Sequence, residues 1–314
     1  MEVLTCNPNE IRNDKECLMM TTSNREMAQH RVQSARRGLT VFFALLVPLS
    51  CVGYWLSLHD GKWILFLMWT PALASLLSRL LLREGFADIS LRLGGRRTLK
   101  FIPIVLLLPI AVDLAAYGIA WMSGLAQFAA PATYLNAPPL VLFVLLLLAN
   151  VTLGTIRGLL GSFGEEVGWR GYMLTRLIDA RVPRPVLVSG LVWGVWHLPL
   201  MVAGVYYAGP YLLLSILLFM ITVTSFGYVM AYLRLTSGSI WPAVLLHASW
   251  NAITQNVFDL FTKGDSALLW TGESGVFVAL ALLAAAFMVT RKQWTIIRTL
   301  PGKGERPVQE SLPL

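Results

Sequence analysis

Charge is scarce in this chain. Of its 314 residues only 13% are Asp, Glu, Lys or Arg, while 56% are hydrophobic. A soluble domain carries about 25% charged residues. Mean hydropathy is +0.64, so a soluble globular fold is excluded and an integral membrane protein is expected. Cysteine is scarce as well. Cys6, Cys17 and Cys51 form no C-x-x-C pair, which leaves neither a disulfide framework nor a cysteine zinc cluster. The first 38 residues are polar and mixed in charge, so no cleavable signal peptide is read there. There is no low-complexity tract, domain-sized linker or solenoid repeat. His-Glu-x-x-His and Gly-x-Ser-x-Gly are both missing, and with them the signatures of a zinc-peptidase helix and of a serine nucleophile elbow.

What the chain has is apolar runs of spanning length. They fall at roughly 39–58, 63–82, 100–122, 138–164, 186–206, 211–233, 239–257 and 275–290. The expected fold is therefore all-α, a polytopic bundle of about eight membrane spans over residues 39–290. Residues 1–38 are expected to be a polar cytosolic tail with a short amphipathic helix near 25–37, and residues 291–314 a second cytosolic tail. The fourth run should continue past its end, because Tyr172, Met173, Leu174, Leu177 and Ile178 keep a helical pattern.

Lys and Arg give the orientation. Of 25 such residues, 22 lie in the N-terminal tail, in the segments after the even-numbered runs, or in the C-terminal tail. The alternate loops hold only Lys62 and Lys263, and Arg157 lies within the fourth run. Both termini are thus expected to be cytosolic. The net charge of +8 becomes a topology signal and an attraction to anionic lipid, and no nucleic-acid partner is expected. The loop Arg92-Leu93-Gly94-Gly95-Arg96-Arg97 suits a lipid headgroup anchor.

The fourth run ends on Gly164-Glu165-Glu166-Val167-Gly168-Trp169-Arg170-Gly171. Adjacent carboxylates beside hydrocarbon are costly to keep. Gly154, Gly158, Gly161, Gly164, Gly168 and Gly171 recur at intervals of three and four, which makes one smooth helix side suited to close approach by another helix. Glu165 falls within that side and Glu166 about 100° further round. Arg170, four residues on, is in pairing reach of Glu166. The two carboxylates are therefore expected to differ: Glu165 faces the interior and Glu166 is neutralised.

Four histidines are present, and two of them, His197 and His247, lie inside apolar runs. Counting from the cytosolic ends puts His197 roughly 16 Å deep and His247 roughly 12 Å deep. Pro199 leaves the carbonyl of Val195 without its helical donor, beside His197. Asn251 follows His247 by one helical turn. Three helices can thus bring Glu165, His197, His247 and Asn251 to one level. Such a set suits hydrolysis in either of two ways. Glu165 acts as general base on water, assisted by His197, while His247 and Asn251 donate to the oxyanion. Alternatively Glu165, His197 and His247 bind a divalent metal such as zinc. The metal-free version is favoured, with no cofactor, because asparagine is a good oxyanion donor and a poor metal ligand.

The order Glu165-Glu166-x-x-x-Arg170, Trp193-x-x-x-His197, His247-x-x-x-Asn251 resembles the CPBP family of CAAX-protease and bacteriocin-processing intramembrane endopeptidases, related to the Ras-converting endopeptidase. The likeness spans roughly residues 135–257. It implies an eight-helix fold and peptide-bond hydrolysis in a cavity open to the cytosol. It implies Glu165 as the activating glutamate, His197 as its helper and His247 with Asn251 as the oxyanion site, supported by Glu166 and Arg170. The family's second motif usually begins with Phe; Trp193 stands there, a change expected to alter pocket shape more than chemistry. The implied partners are membrane lipid and a peptide or protein substrate of prenylated CAAX or bacteriocin type, and the expected location is a bacterial plasma membrane.

Asn150, Thr152 and Arg157 are further candidates to line the cavity, and Trp193, Trp196, Trp241 and Trp250 to wall it. Asp113 reads as a hydrogen-bonded structural aspartate. The competing function is a non-catalytic immunity or scaffold protein of the same fold. A proton-coupled transporter is disfavoured, since there is no inverted repeat and no pair of interrupted helices.

Overall fold

The computed structural model describes residues 14–131 and 137–290. They form an all-α bundle. We number its main helices α1 (Asp14–His59), α2 (Ile64–Leu82), α3 (Ile102–Met122), α4 (Pro139–Asp179), α5 (Pro185–Val202), α6 (Leu212–Ser237), α7 (Trp241–Trp250) and α8 (Val276–Thr290). Six of these, α1 to α6, are long and apolar enough to cross a membrane. Helix α7 reaches similar length by running on as wide π turns through Asn251–Phe258, and α8 has 15 residues. Each expected apolar run is thus helical.

Two expectations about length change. The polar segment is not a tail with one short helix: from Asp14 it is a single helix continuous with the first run, 46 residues in all. Helix α4 does continue past the glutamates, for 41 residues. That is about 60 Å, twice a hydrocarbon core, so its last turns lie beyond the apolar layer. Residues 1–13 and 291–314, and with them the expected cytosolic termini, lie outside the described residues.

The helix ends follow local rules. Pro139, Pro185 and Pro242 occupy first turns, where a missing N–H costs nothing. Gly238 ends α6 at φ +69°, a conformation that favours glycine.

Bundle packing sets the site. Helix α4 lies between α2 and α7, and α6 packs on α5 and α8. Cβ atoms on Gly161, Gly164 and Gly168 would strike Met68, Trp69 and Pro71 of α2, while Gly158 faces Ala248 of α7 and Gly171 faces Ile240. The glycine side is real, but two neighbours share it. A continuous aromatic core that includes Phe42, Trp169, Trp193, Phe226, Trp250 and Phe258 fills the centre.

At the basic end, buried charges tie the helices together. Arg79 of α2 and Arg176 of α4 (2.8 Å) both donate to Asp88, in the loop between α2 and α3. Arg176 also reaches Glu84 (2.8 Å), Arg79 reaches the carbonyl of Gly171 (3.1 Å), and Arg234 of α6 reaches the carbonyl of Asp88 (2.9 Å). Burial alone would raise the Asp88 carboxyl, but the guanidiniums of Arg79 and Arg176 hold it below its ordinary 3.8.

Candidate active site

Glu165 is buried, 2% exposed, near the middle of α4. Its Oε2 accepts a hydrogen bond from the indole Nε1 of Trp193 on α5, at 2.8 Å. Glu166, fully buried beside it, faces the other way. Its Oε1 accepts from Arg170 (2.8 Å) and pairs with Nδ1 of His247 on α7 (3.0 Å). The two neighbouring carboxylates thus have separate partners. Arg170 also lies over the Trp193 ring, 4.2 Å from its centroid, as a cation–π contact. Its Nε and Nη2 have no hydrogen-bond partner.

The rings of the two histidines are held differently. Nδ1 of His197 lies 2.9 Å from the carbonyl of Trp193. A carbonyl only accepts, so Nδ1 carries the proton and Nε2 of the neutral ring is left as a base. The carbonyl used is that of Trp193, not the one freed at Val195. The imidazole stacks on Tyr206 at 5.5 Å and meets Trp196 edge-on at 4.9 Å. Nδ1 of His247 faces a carboxylate oxygen, which only accepts, so Nδ1 carries a proton and Nε2 points away from Glu166. Trp193 touches both imidazoles, 5.7 Å from His197 and 5.4 Å from His247.

Glu165, His197, His247 and Asn251 all line one cavity of about 430 Å³. Asn251 opens the π-helical run that follows α7, and Trp169–Met173, including Arg170, forms another π segment just after Glu165. Such widened turns recur at functional sites. Among the described residues no three His, Cys, Asp or Glu side chains gather into a group that could hold a metal ion.

Several expectations are corrected. Asn150, Thr152 and Arg157 do not line the cavity; Thr152 and Arg157 are exposed, and Asn150 donates back to Leu146 (2.9 Å). Trp193, Trp196 and Trp250 do form walls, but Trp241 is elsewhere and donates to Leu91 (2.9 Å). Trp193 alters more than shape, since phenylalanine at that position would leave Glu165 without its donor. Asp113 lies outside the cavity and accepts from Thr254 (2.8 Å), with its Oδ1 unpartnered. The resemblance implies a cavity open on the basic side, yet its exposed lining residues are Gly61, Ile64 and Val205, at the opposite end.

Sequence reasoning missed Glu273. It is 6% exposed, lines the cavity, and accepts from Tyr206 (2.6 Å), Trp250 (3.1 Å) and Gln255 (3.0 Å). It lies in Gly272-Glu273-Ser274-Gly275, which reads as an ordinary turn. Nearby Asp259 receives the hydroxyls of Tyr117 and Tyr207. Burial pushes its carboxyl up to about 6, against those two hydroxyls and with the charge of Glu273 adding to the rise.

No curated protein matches the chain. A family model does, over residues 139–253, from the first turn of α4 to the residues after Asn251. All six motif residues, Glu165, Glu166, Arg170, His197, His247 and Asn251, fall inside it, as does Trp193. Over that segment the chain is similar to the Rce1-like type II CAAX prenyl endopeptidases.

Proposed function

We propose that this cavity hydrolyses a peptide bond in a membrane-associated polypeptide, with water activated by Glu165. Trp193 fixes Oε2 of the carboxylate and leaves Oε1 to take a proton from the water. Nε2 of His197 accepts the second hydrogen of that water and orients it. The water oxygen adds to the scissile carbonyl. The oxyanion so formed accepts hydrogen bonds from Nε2 of His247, kept protonated by Glu166, and from the Asn251 amide. The C–N bond then breaks as the protonated Glu165 returns its proton to the leaving nitrogen. Arg170 offsets the charge of Glu166, so that Glu165 does not face a second free carboxylate.

The observation that carries this reading is that residues from three helices, in the family's order, line one cavity. Its aromatic walls suit a lipid-modified or extended apolar peptide, so prenylated CAAX-type and bacteriocin-type segments are the substrates to try. The mechanism needs no metal. The test is cleavage of a quenched peptide by purified protein in liposomes. Glu165→Gln should lower kcat by about 10²–10⁴-fold with the far-UV spectrum unchanged, and chelator should leave wild-type activity intact. Activity abolished by chelator and restored by zinc would sink the metal-free scheme. Full activity in Glu165→Gln would turn the protein into a binding or scaffold factor.

A further inference from the structure

Glu273 is a costly residue to keep where it is. It sits in the turn before α8, is 6% exposed, and lines the cavity wall. A buried carboxylate loses hydration that only hydrogen bonds or charge can replace. Its three donors are all uncharged, and they come from separate segments. Oε2 accepts the hydroxyl of Tyr206, in the loop after α5, at 2.6 Å. Oε1 accepts the indole N–H of Trp250, the last residue of α7, at 3.1 Å, and the amide of Gln255, in the π turns, at 3.0 Å. Each donor stands beside a group of the site. The Tyr206 ring stacks on His197, with centroids 5.5 Å and planes 25° apart. Trp250 directly precedes Asn251, and Gln255 follows Asn251 by four residues. One carboxylate therefore ties the support of the helper imidazole to the support of the oxyanion amide. The turn that carries it is itself fixed. The N–H of Gly272 donates to the hydroxyl of Tyr117 (3.0 Å), and a Cβ at Gly272 would strike the Tyr207 ring. Packing alone would be served at lower cost by an apolar side chain.

We propose, resting on the peptidase reading, that Glu273 is a positioning residue for that reaction. Through Tyr206 it holds the imidazole of His197 in the plane that turns Nε2 to the water. Through Trp250 and Gln255 it holds the segment from which Asn251 meets the oxyanion. It exchanges no proton with the substrate. It fixes where the two groups that touch the water and the oxyanion stand. A ring on a loop would otherwise swing with that loop, and a small misplacement of a reacting group is costly in rate.

Two variants remove the tie and keep the shapes. Tyr206→Phe keeps the stacked ring and loses the hydroxyl, and Glu273→Gln keeps the outline and loses the charge. In steady-state cleavage of the quenched peptide in liposomes, each should lower kcat about tenfold, the size of one hydrogen bond to a charged group. KM should stay within about twofold. Both act through one link, so the double variant should lose less than about twofold more than Glu273→Gln alone. An unchanged kcat in both variants, or losses that multiply in the double, overturns the proposal. Melting temperature in detergent shows that each variant is folded, and Tyr206→Phe carries the test should Glu273→Gln not fold. A second measurement does not depend on cleavage. Nuclear magnetic resonance of histidine labelled at its ring nitrogens reports His197, assigned by the signals lost in His197→Gln. The wild type should give one set, from the ring protonated at Nδ1. That set should broaden or split in Tyr206→Phe and in Glu273→Gln, while the exposed His30 and His59 stay unchanged. Unchanged His197 signals in both variants overturn the proposal and leave the peptidase reading intact. Disturbed His197 signals in a protein that cleaves no peptide sink the peptidase reading, and the role of Glu273 in it, so the two failures are told apart.

Discussion

At the residue scale, the site turns on which atom each side chain has left to offer. Trp193 spends its one donor on Oε2 of Glu165, at 2.8 Å. Trp193→Phe keeps an aromatic wall between the two imidazoles and removes only that donor. A hydrogen bond to a charged group is worth about 1.5–3 kcal/mol, so kcat should fall roughly ten- to a hundredfold with KM changed little, in steady-state peptide cleavage. An unchanged kcat would reduce Trp193 to packing. Glu166 and Arg170 were legible in the sequence because a pair four residues apart on one helix needs no tertiary knowledge. The part Trp193 plays was not, since a tryptophan in an apolar helix reads as bulk until a carboxylate from 28 residues away is seen at its nitrogen. Glu273 was hidden for a related reason. Nothing in a short glycine-flanked turn reports that the turn folds inward to meet Tyr206, Trp250 and Gln255.

At the scale of elements, α4 decides whether the carboxylates reach the cavity. Its position depends on how closely it lies on α2 and α7. A Cβ at Gly168 would collide with the backbone of Pro71, and backbone cannot swing aside as a side chain can. Gly168→Ala should therefore lower stability by about 2–3 kcal/mol. Gly158→Ala is the control. Its Cβ would come 3.2 Å from the carbonyl oxygen of Ala248, and alanine's helix preference over glycine, about 1 kcal/mol, offsets that crowding, so the net change should be within about 1 kcal/mol. Denaturant or thermal unfolding in detergent measures both; equal effects would mean that the glycines serve flexibility, not approach. The interval of three and four made the smooth side visible in sequence. How it is shared was not visible, because a 100° wheel assumes one uninterrupted α-helix. The π segments at Asn150–Gly154 and Trp169–Met173 rotate the residues beyond them to a different side, and Gly171 meets Ile240. The eight apolar runs survived this, since hydropathy depends on length and not on phase.

At the scale of the whole molecule, the two ends of the bundle are held by groups that respond to acid in opposite directions. At the basic end Asp88 sits below its ordinary value of 3.8 under the charges of Arg79 and Arg176. A carboxyl lowered on folding adds stability that is present above its unfolded value and is lost as pH falls through its folded one. At the other end Asp259 is raised to about 6. Between 3.8 and about 6 the folded protein holds a proton there that the unfolded chain has released, so this group's contribution falls as pH rises through that window. Lowering pH from 7 toward 5 should therefore relieve the Asp259 end before it harms the Asp88 end. Asp259→Asn removes the first effect and keeps an acceptor for Tyr117 and Tyr207. The difference in melting temperature between variant and wild type should be largest at pH 7, in favour of the variant, and should shrink toward pH 4.5. Asp88→Asn should instead lose stability at pH 7 and converge on wild type only as pH falls below 3.8 and through the lowered native value. Melting curves in detergent at four or five pH values separate the two. A difference between Asp259→Asn and wild type that does not vary with pH would show that Asp259 is ionised throughout, and that its two tyrosine hydroxyls outweigh its burial.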